Sequence, residues 1–135
     1  MNGSYSYFYI AQKDLLAAKE MMRAKLYNHA ARFCQQYIEK LLKECIHIHC
    51  VTDEDIFLLR SHRLSKLATR CKEHTGIKFS AQEILYFREL TDYYFDTNYP
   101  GANYLEIDQE EAERVYNATL EFQQTYESIL TAREN

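Results

Sequence analysis

An all-α fold, an antiparallel up-and-down bundle of four long helices plus a short extra helix, is what this sequence predicts, on three observations. Only three glycines and one proline punctuate 135 residues, too few turn formers for the many chain reversals of an all-β or α/β domain. Hydrophobic residues make up 47% of the chain, enough to build a core. They recur at three- and four-residue steps, the period of an amphipathic helix, through most of the sequence. With no linker-like tract anywhere, residues 1–135 read as one domain.

The first helix is expected from Tyr5 to about Lys25, where Tyr5, Phe8, Tyr9, Leu15, Leu16 and Met22 keep one apolar face. Ser4 is placed to cap it. "LYNHAAR" interrupts the pattern, and Asn28 is placed to cap a second helix from about His29 to His49. Ala30, Phe33, Cys34, Tyr37, Ile38, Leu41, Leu42 and Cys45 give that helix a face broad enough for the centre of a bundle. Thr52 or Asp53 then caps a short segment through Leu59. Ser61 precedes "HRLSKLATRCKEHTG", whose Leu64, Leu67, Ala68 and Cys71 turn inward and whose Gly76 stops it.

Ser80 and Glu83 form a capping box for "SAQEILYFRELTDYYFD". The segment "DTNYPG" ends that helix, because Pro100 has no backbone N–H to donate and biases Tyr99 away from the helical region. Asp108 caps the last helix, along which Ala112, Val115, Tyr116, Thr119, Phe122, Tyr126, Ile129 and Leu130 form a stripe.

Charge is unevenly spread. Residues 1–72 carry 12 Lys/Arg against 7 Asp/Glu, a net of +5, and residues 73–135 carry 4 against 13, a net of −9. Such a chain suits self-association or an anionic ligand on its basic side, although charged helix exteriors account for the asymmetry equally well. No apolar run approaches the roughly 20 residues that span a bilayer, and "MNGSYSYFYIAQKD" lacks the features of a signal peptide. Cys34, Cys45, Cys50 and Cys71 follow no disulfide framework. A cytoplasmic protein with reduced thiols and no membrane association fits these features.

Most local clusters of reactive residues have a structural explanation. In "CIHIHC" only Cys45 and His49 share a helix face, so the run cannot close a tetrahedral zinc site by itself. Cys34 and Cys71 fall on core faces, where free cysteine is commonly buried, which argues against a nucleophilic pair with His29 or His74. Glu89, Asp92 and Asp96 share one side of a helix and read as a solvated face rather than a cation site. Asn117-Ala118-Thr119 lies within a helix, and no phosphate-binding loop or dinucleotide fingerprint occurs. No metal and no cofactor is expected.

Three motifs in order are more specific. "YNHAARFCQQYIEKLLKE", "SHRLSKLA" and "TDYYFDTNYPG" together resemble the small stand-alone prokaryotic members of the HEPN domain family, over nearly the whole chain. Gln35, Gln36, Glu39, Lys40 and Lys43 match the family's Gln-Gln-x-x-Glu-Lys-x-x-Lys run. Ser61, His62, Arg63 and Leu64 match the start of its next helix, and Thr97, Tyr99 and Pro100 match its segment before the last helix. The resemblance implies a homodimeric helical bundle that binds nucleotide or RNA, often beside a minimal nucleotidyltransferase partner. It also implies ligand-binding roles for Gln36, Glu39, Lys40, Lys43, His62, Arg63, Asn98 and Tyr99.

Many members of that family are metal-independent ribonucleases with an Arg-x4-6-His motif near the start of the last long helix. Here the chain departs from the pattern: residues 99–133 contain no histidine. An Arg-x5-His match occurs instead at Arg23 and His29, between the first two helices. Asn98 stands where the family has arginine, which removes a bidentate phosphate clamp. The expectation is therefore a non-catalytic HEPN-like module, dimeric, in a two-component setting of the toxin–antitoxin or defence kind. The alternatives are a ribonuclease using His62, His29 or Arg23, and a purely structural interaction module.

Overall fold

The computed structural model describes residues 5–97, 100–101 and 104–133, and among these it is all-helical, with no strand. Six helices run in the order α1 (Tyr7–Arg23), α2 (Tyr27–Ile48), α3 (Asp53–Leu58), α4 (Leu64–Thr75), α5 (Ala81–Asp96) and α6 (Gln109–Leu130). Helices α1, α2, α5 and α6 are the four long ones; α3 and α4 are shorter and fill the crossing between α2 and α5.

Helix α2 is the axis of the bundle, packing against α1, α4, α5 and α6. Tyr37, Ile38, Leu41, Leu42 and Ile46 on α2 are fully buried, against Leu64 and Leu67 of α4, Phe87 and Leu90 of α5, and Val115 and Leu130 of α6. Each such side chain contributes about 2 kcal/mol of apolar burial. Phe79, Phe87, Phe122 and Tyr126 form an aromatic cluster with ring centroids 4.9 to 6.4 Å apart, filling the space between α5 and α6.

Helix boundaries follow local chemistry. Thr52 with Asp55, and Ser80 with Glu83, make reciprocal capping boxes at α3 and α5, and Asp108 caps α6 by accepting from Glu111 N–H. Gly76 ends α4 at φ +76°, where a residue without Cβ is unstrained.

Two caps differ from the sequence reading. The cap of α1 is Ser6, whose Oγ accepts from Tyr9 N–H at 3.0 Å; Ser4 lies outside the described residues. Helix α2 begins at Tyr27 without a side-chain cap. Its Asn28 has a different partner: the amide donates to Leu105 O at 2.9 Å and accepts from Ile107 N–H at 2.8 Å. This pairing of one side-chain amide with two backbone groups fixes the α5–α6 connection to the start of α2. Arg32, one turn further, donates to Thr97 O at 2.9 Å and holds the other end of that connection.

Candidate functional site

A line of polar side chains crosses the buried face of α2, placed there by the helical repeat. Lys40 Nζ donates to Asp14 Oδ2 of α1 at 3.2 Å and to Gln36 Oε1 at 2.9 Å. Gln36 Nε2 donates to Gln35 Oε1 at 2.6 Å, and Gln35 Nε2 donates to Glu39 Oε1 at 2.8 Å. Lys43 Nζ donates to Glu39 Oε2 at 2.9 Å. Gln35, Glu39 and Lys43 are all buried. Positions 35, 39 and 43 are each one helical turn apart, so they share a face by geometry alone.

The line reaches the surface at His62. The segment between α3 and α4 places His62 Nδ1 at 3.1 and 3.2 Å from the two Glu39 oxygens. The imidazole stacks on Tyr94 of α5, with ring centroids 5.2 Å apart and an interplanar angle of 22°. Glu39 is buried while the His62 side chain is 45% exposed, so this ring links the buried carboxylate to solvent.

An ionised Glu39 can only accept, so Nδ1 carries the proton that faces it, and Nε2 is left as the basic nitrogen of the neutral ring. A buried acid is tolerated here because Lys43 balances its charge and Gln35 fills a lone-pair direction. Asp14 at the far end is pushed above the usual carboxylate range by burial, which the Lys40 ammonium opposes. Burial also raises the Tyr7 hydroxyl, with Glu39 and Glu44 adding to the rise.

The structure thus brings Gln36, Glu39, Lys40, Lys43 and His62 into one connected line. Arg63 flanks it at the start of α4, exposed, with its backbone N–H on Ser61 Oγ. Asn98 and Tyr99 lie outside the described residues. Arg23 and His29 stand elsewhere: Arg23 is exposed at the end of α1 with Glu20 at 3.7 Å. His29 is exposed in the first turn of α2, roughly 15 Å along the helix axis from Glu39.

Two members of the line are additions to the sequence reading of the site. Gln35 was legible as a neighbour of Glu39 from its four-residue spacing. Tyr94 was not, because only the packing of α5 against α2 brings it to His62.

Several other reactive groups are engaged by their surroundings. Glu89 takes both terminal nitrogens of Arg114 at 3.0 Å. Burial pushes the Cys34 thiol up to about 12. Cys45 and His49 do share a face, with Sγ and Nδ1 4.0 Å apart. Among the described residues, no group of three or more His, Cys, Asp or Glu side chains has the arrangement of a metal site. No helix among them is long and apolar enough to cross a membrane.

A family model for the HEPN domain matches residues 5–129. Neither curated proteins nor solved structures yield a match.

Proposed function

Since the chain belongs to the HEPN family over nearly its whole length, we propose that it is a non-catalytic, dimeric HEPN-like module. In this reading it binds a nucleotide or RNA, or a minimal nucleotidyltransferase partner, in a two-component setting. The observation that carries it is the Glu39–Lys43–His62 cluster. A buried acid and base are held in balance inside α2, yet they open to solvent through one half-exposed imidazole on an aromatic platform. That combination suits ligand recognition better than packing, because a core without function has no need of a charge pair connected to the surface.

The absence of histidine from residues 99–133 supports the non-catalytic part. The test is a thermal-shift series with nucleoside mono-, di- and triphosphates and short single-stranded RNA. A ligand that binds the native state raises Tm by mass action, and His62→Ala should abolish the rise. The same titration with a purified minimal nucleotidyltransferase covers the partner. If none of these moves Tm, the binding reading fails.

One observation favours a second reading, a ribonuclease with His62 as general acid or base. Glu39 fixes the tautomer and orientation of the ring and leaves Nε2 free to exchange a proton. Incubating RNA with the wild type and with His62→Ala decides between them. Cleavage lost in the variant makes the protein an enzyme; intact RNA in both supports the non-catalytic module.

A further inference from the structure

The backbones of α5 and α6 stand apart: each packs on α2, and they meet mainly through long side chains. A cleft of about 460 Å³ lies between them. Tyr86, Ala118 and the buried ring of Phe122 give it an apolar floor, and Leu85 rises at its edge, 63% exposed. Helix α6 lines it from Arg114 to Thr125, three turns or roughly 16 Å. A lone exposed leucine is unremarkable, but one at the lip of an apolar cleft of this length marks an interaction surface.

The charge of the cleft is not balanced from within. Its lining holds the carboxylates of Glu83, Glu89 and Glu121 and, among the described residues, the single cation Arg114. Arg114 is already engaged. Its two terminal nitrogens donate to the two Glu89 oxygens at 3.0 Å, a bridge from α6 to α5 that closes one end of the cleft.

Glu83 and Glu121 lie toward the other end. Glu83 Oε1 accepts from Ser80 N–H at 2.7 Å and from the Tyr126 hydroxyl at 2.6 Å, both neutral donors. Glu121 is exposed and has no hydrogen bond or ion pair among the described residues. Residues 73–135, which build both helices, carry 4 Lys/Arg against 13 Asp/Glu, so the surroundings are acidic as well.

We propose that this cleft is a docking site for a basic amphipathic helix of a partner protein. Apolar side chains of that helix rest on Tyr86, Phe122 and Leu85, and its Lys or Arg side chains meet Glu83 and Glu121. Charge selects the occupant: an acidic or neutral segment would cover two carboxylates and bring no counter-charge. Length selects its shape, because side chains at i, i+4, i+7 and i+11 of one helix face cover about 16 Å. The proposal rests on no part of the His62 reading, since α5 turns Tyr94 to His62 but Tyr86 and Glu89 to α6.

The test is fluorescence anisotropy on the purified full chain. The probe is a labelled helical peptide of about 14 leucine and lysine residues with one apolar face. Its control has glutamate for every lysine, and both are used in about 0.15 M salt. The basic peptide should bind with a micromolar Kd, and the acidic one at least about tenfold more weakly.

Leu85→Asp and Glu121→Lys change exposed positions, so both should keep the circular dichroism and Tm of the wild type. Each should weaken binding of the basic peptide about tenfold or more. Leu85→Asp adds negative charge, so a loss there cannot come from weaker general attraction. Glu20→Lys makes the same change in net charge as Glu121→Lys, but on α1, and should alter binding less than about twofold.

Each of the following overturns the proposal. No binding of the basic peptide below about 1 mM shows that the cleft takes no such helix. Binding that either folded variant leaves unchanged, or that Glu20→Lys weakens as much, places the peptide elsewhere on an acidic surface. Equal binding of the acidic peptide removes the basic partner. Displacement of the peptide by an equal concentration of spermidine makes the cleft a site for small amines. Self-association of the wild type that Leu85→Asp abolishes gives the cleft to a second copy of the chain.

Discussion

Two buried carboxylates in this bundle have nearly the same partners and opposite settings. Glu39 on α2 holds a basic side chain, Lys43, and a histidine, His62. Asp55 on α3 holds a basic side chain, Arg70, and a histidine, His74. Asp55 also takes two backbone N–H groups, and its His74 is only 12% exposed. Among the described residues Glu39 takes its hydrogen bonds from side chains alone, and its His62 is 45% exposed. One acid is sealed by the fold and anchors it. The other has one partner, His62, that faces solvent, which is the arrangement a binding site requires.

The largest expected effect belongs to the sealed acid. Asp55→Ala removes the capping box of α3 and takes from Arg70 and His74 their shortest contact, 2.7 Å in each case, and should cost about 3–5 kcal/mol, read as a lower urea midpoint. A loss under about 1 kcal/mol would mean that Asp55 is no anchor. The hydrogen bond from Arg70 holds the Asp55 carboxyl well below the usual carboxylate range. Burial opposes that, and His74 and the Val51 N–H add to it.

The sign of the pH effect follows. A folded-state value below the unfolded one gives stability that is fully present above about pH 4 and lost as pH falls further. Asp55→Asn should therefore flatten the acid limb of the stability curve between about pH 4 and 2, measured as urea midpoint against pH.

Glu39→Gln should cost less, about 2 kcal/mol, because glutamine keeps an acceptor for Lys43 and the shape of the site. Most of the penalty is a buried ammonium without its counter-charge. Glu39→Gln/Lys43→Met should then regain a large part of it, since a well-packed apolar pair replaces a buried ion pair at little cost. A double variant less stable than Glu39→Gln alone would show that Lys43 is held by partners other than Glu39 and that the two acids differ less than their surroundings suggest.

How much of this was legible in the sequence also divides along the two acids. The all-helical fold, the central place of α2, the box at Ser80 and a cap at Thr52 or Asp53 follow from local periodicity and capping chemistry, which act within one or two turns. Glu39, Lys40, Lys43 and His62 entered through a family resemblance, and their four-residue spacing explains why the α2 members meet. The sequence did not single out Asp55. Its burial depends on Arg70 and His74, which only the packing of α4 against α3 brings to it. Asn28 misled for the same reason. It has the chemistry of a cap, but its side-chain amide is taken by the backbone of Leu105 and Ile107.

The smallest effect on stability, and the most informative, belongs to His62. Half-exposed, its hydrogen bond to Glu39 competes with water and contributes little, and the stacking on Tyr94 adds about 1 kcal/mol or less. His62→Ala should lower stability by only about 0.5 kcal/mol in urea denaturation, while removing the Tm rise that a bound nucleotide, RNA or partner gives the wild type. A fold-neutral variant that loses binding identifies a side chain kept for a ligand. If His62→Ala instead costs more than about 2 kcal/mol, His62 seals Glu39 as His74 seals Asp55, and the cluster on α2 is a second anchor rather than a site.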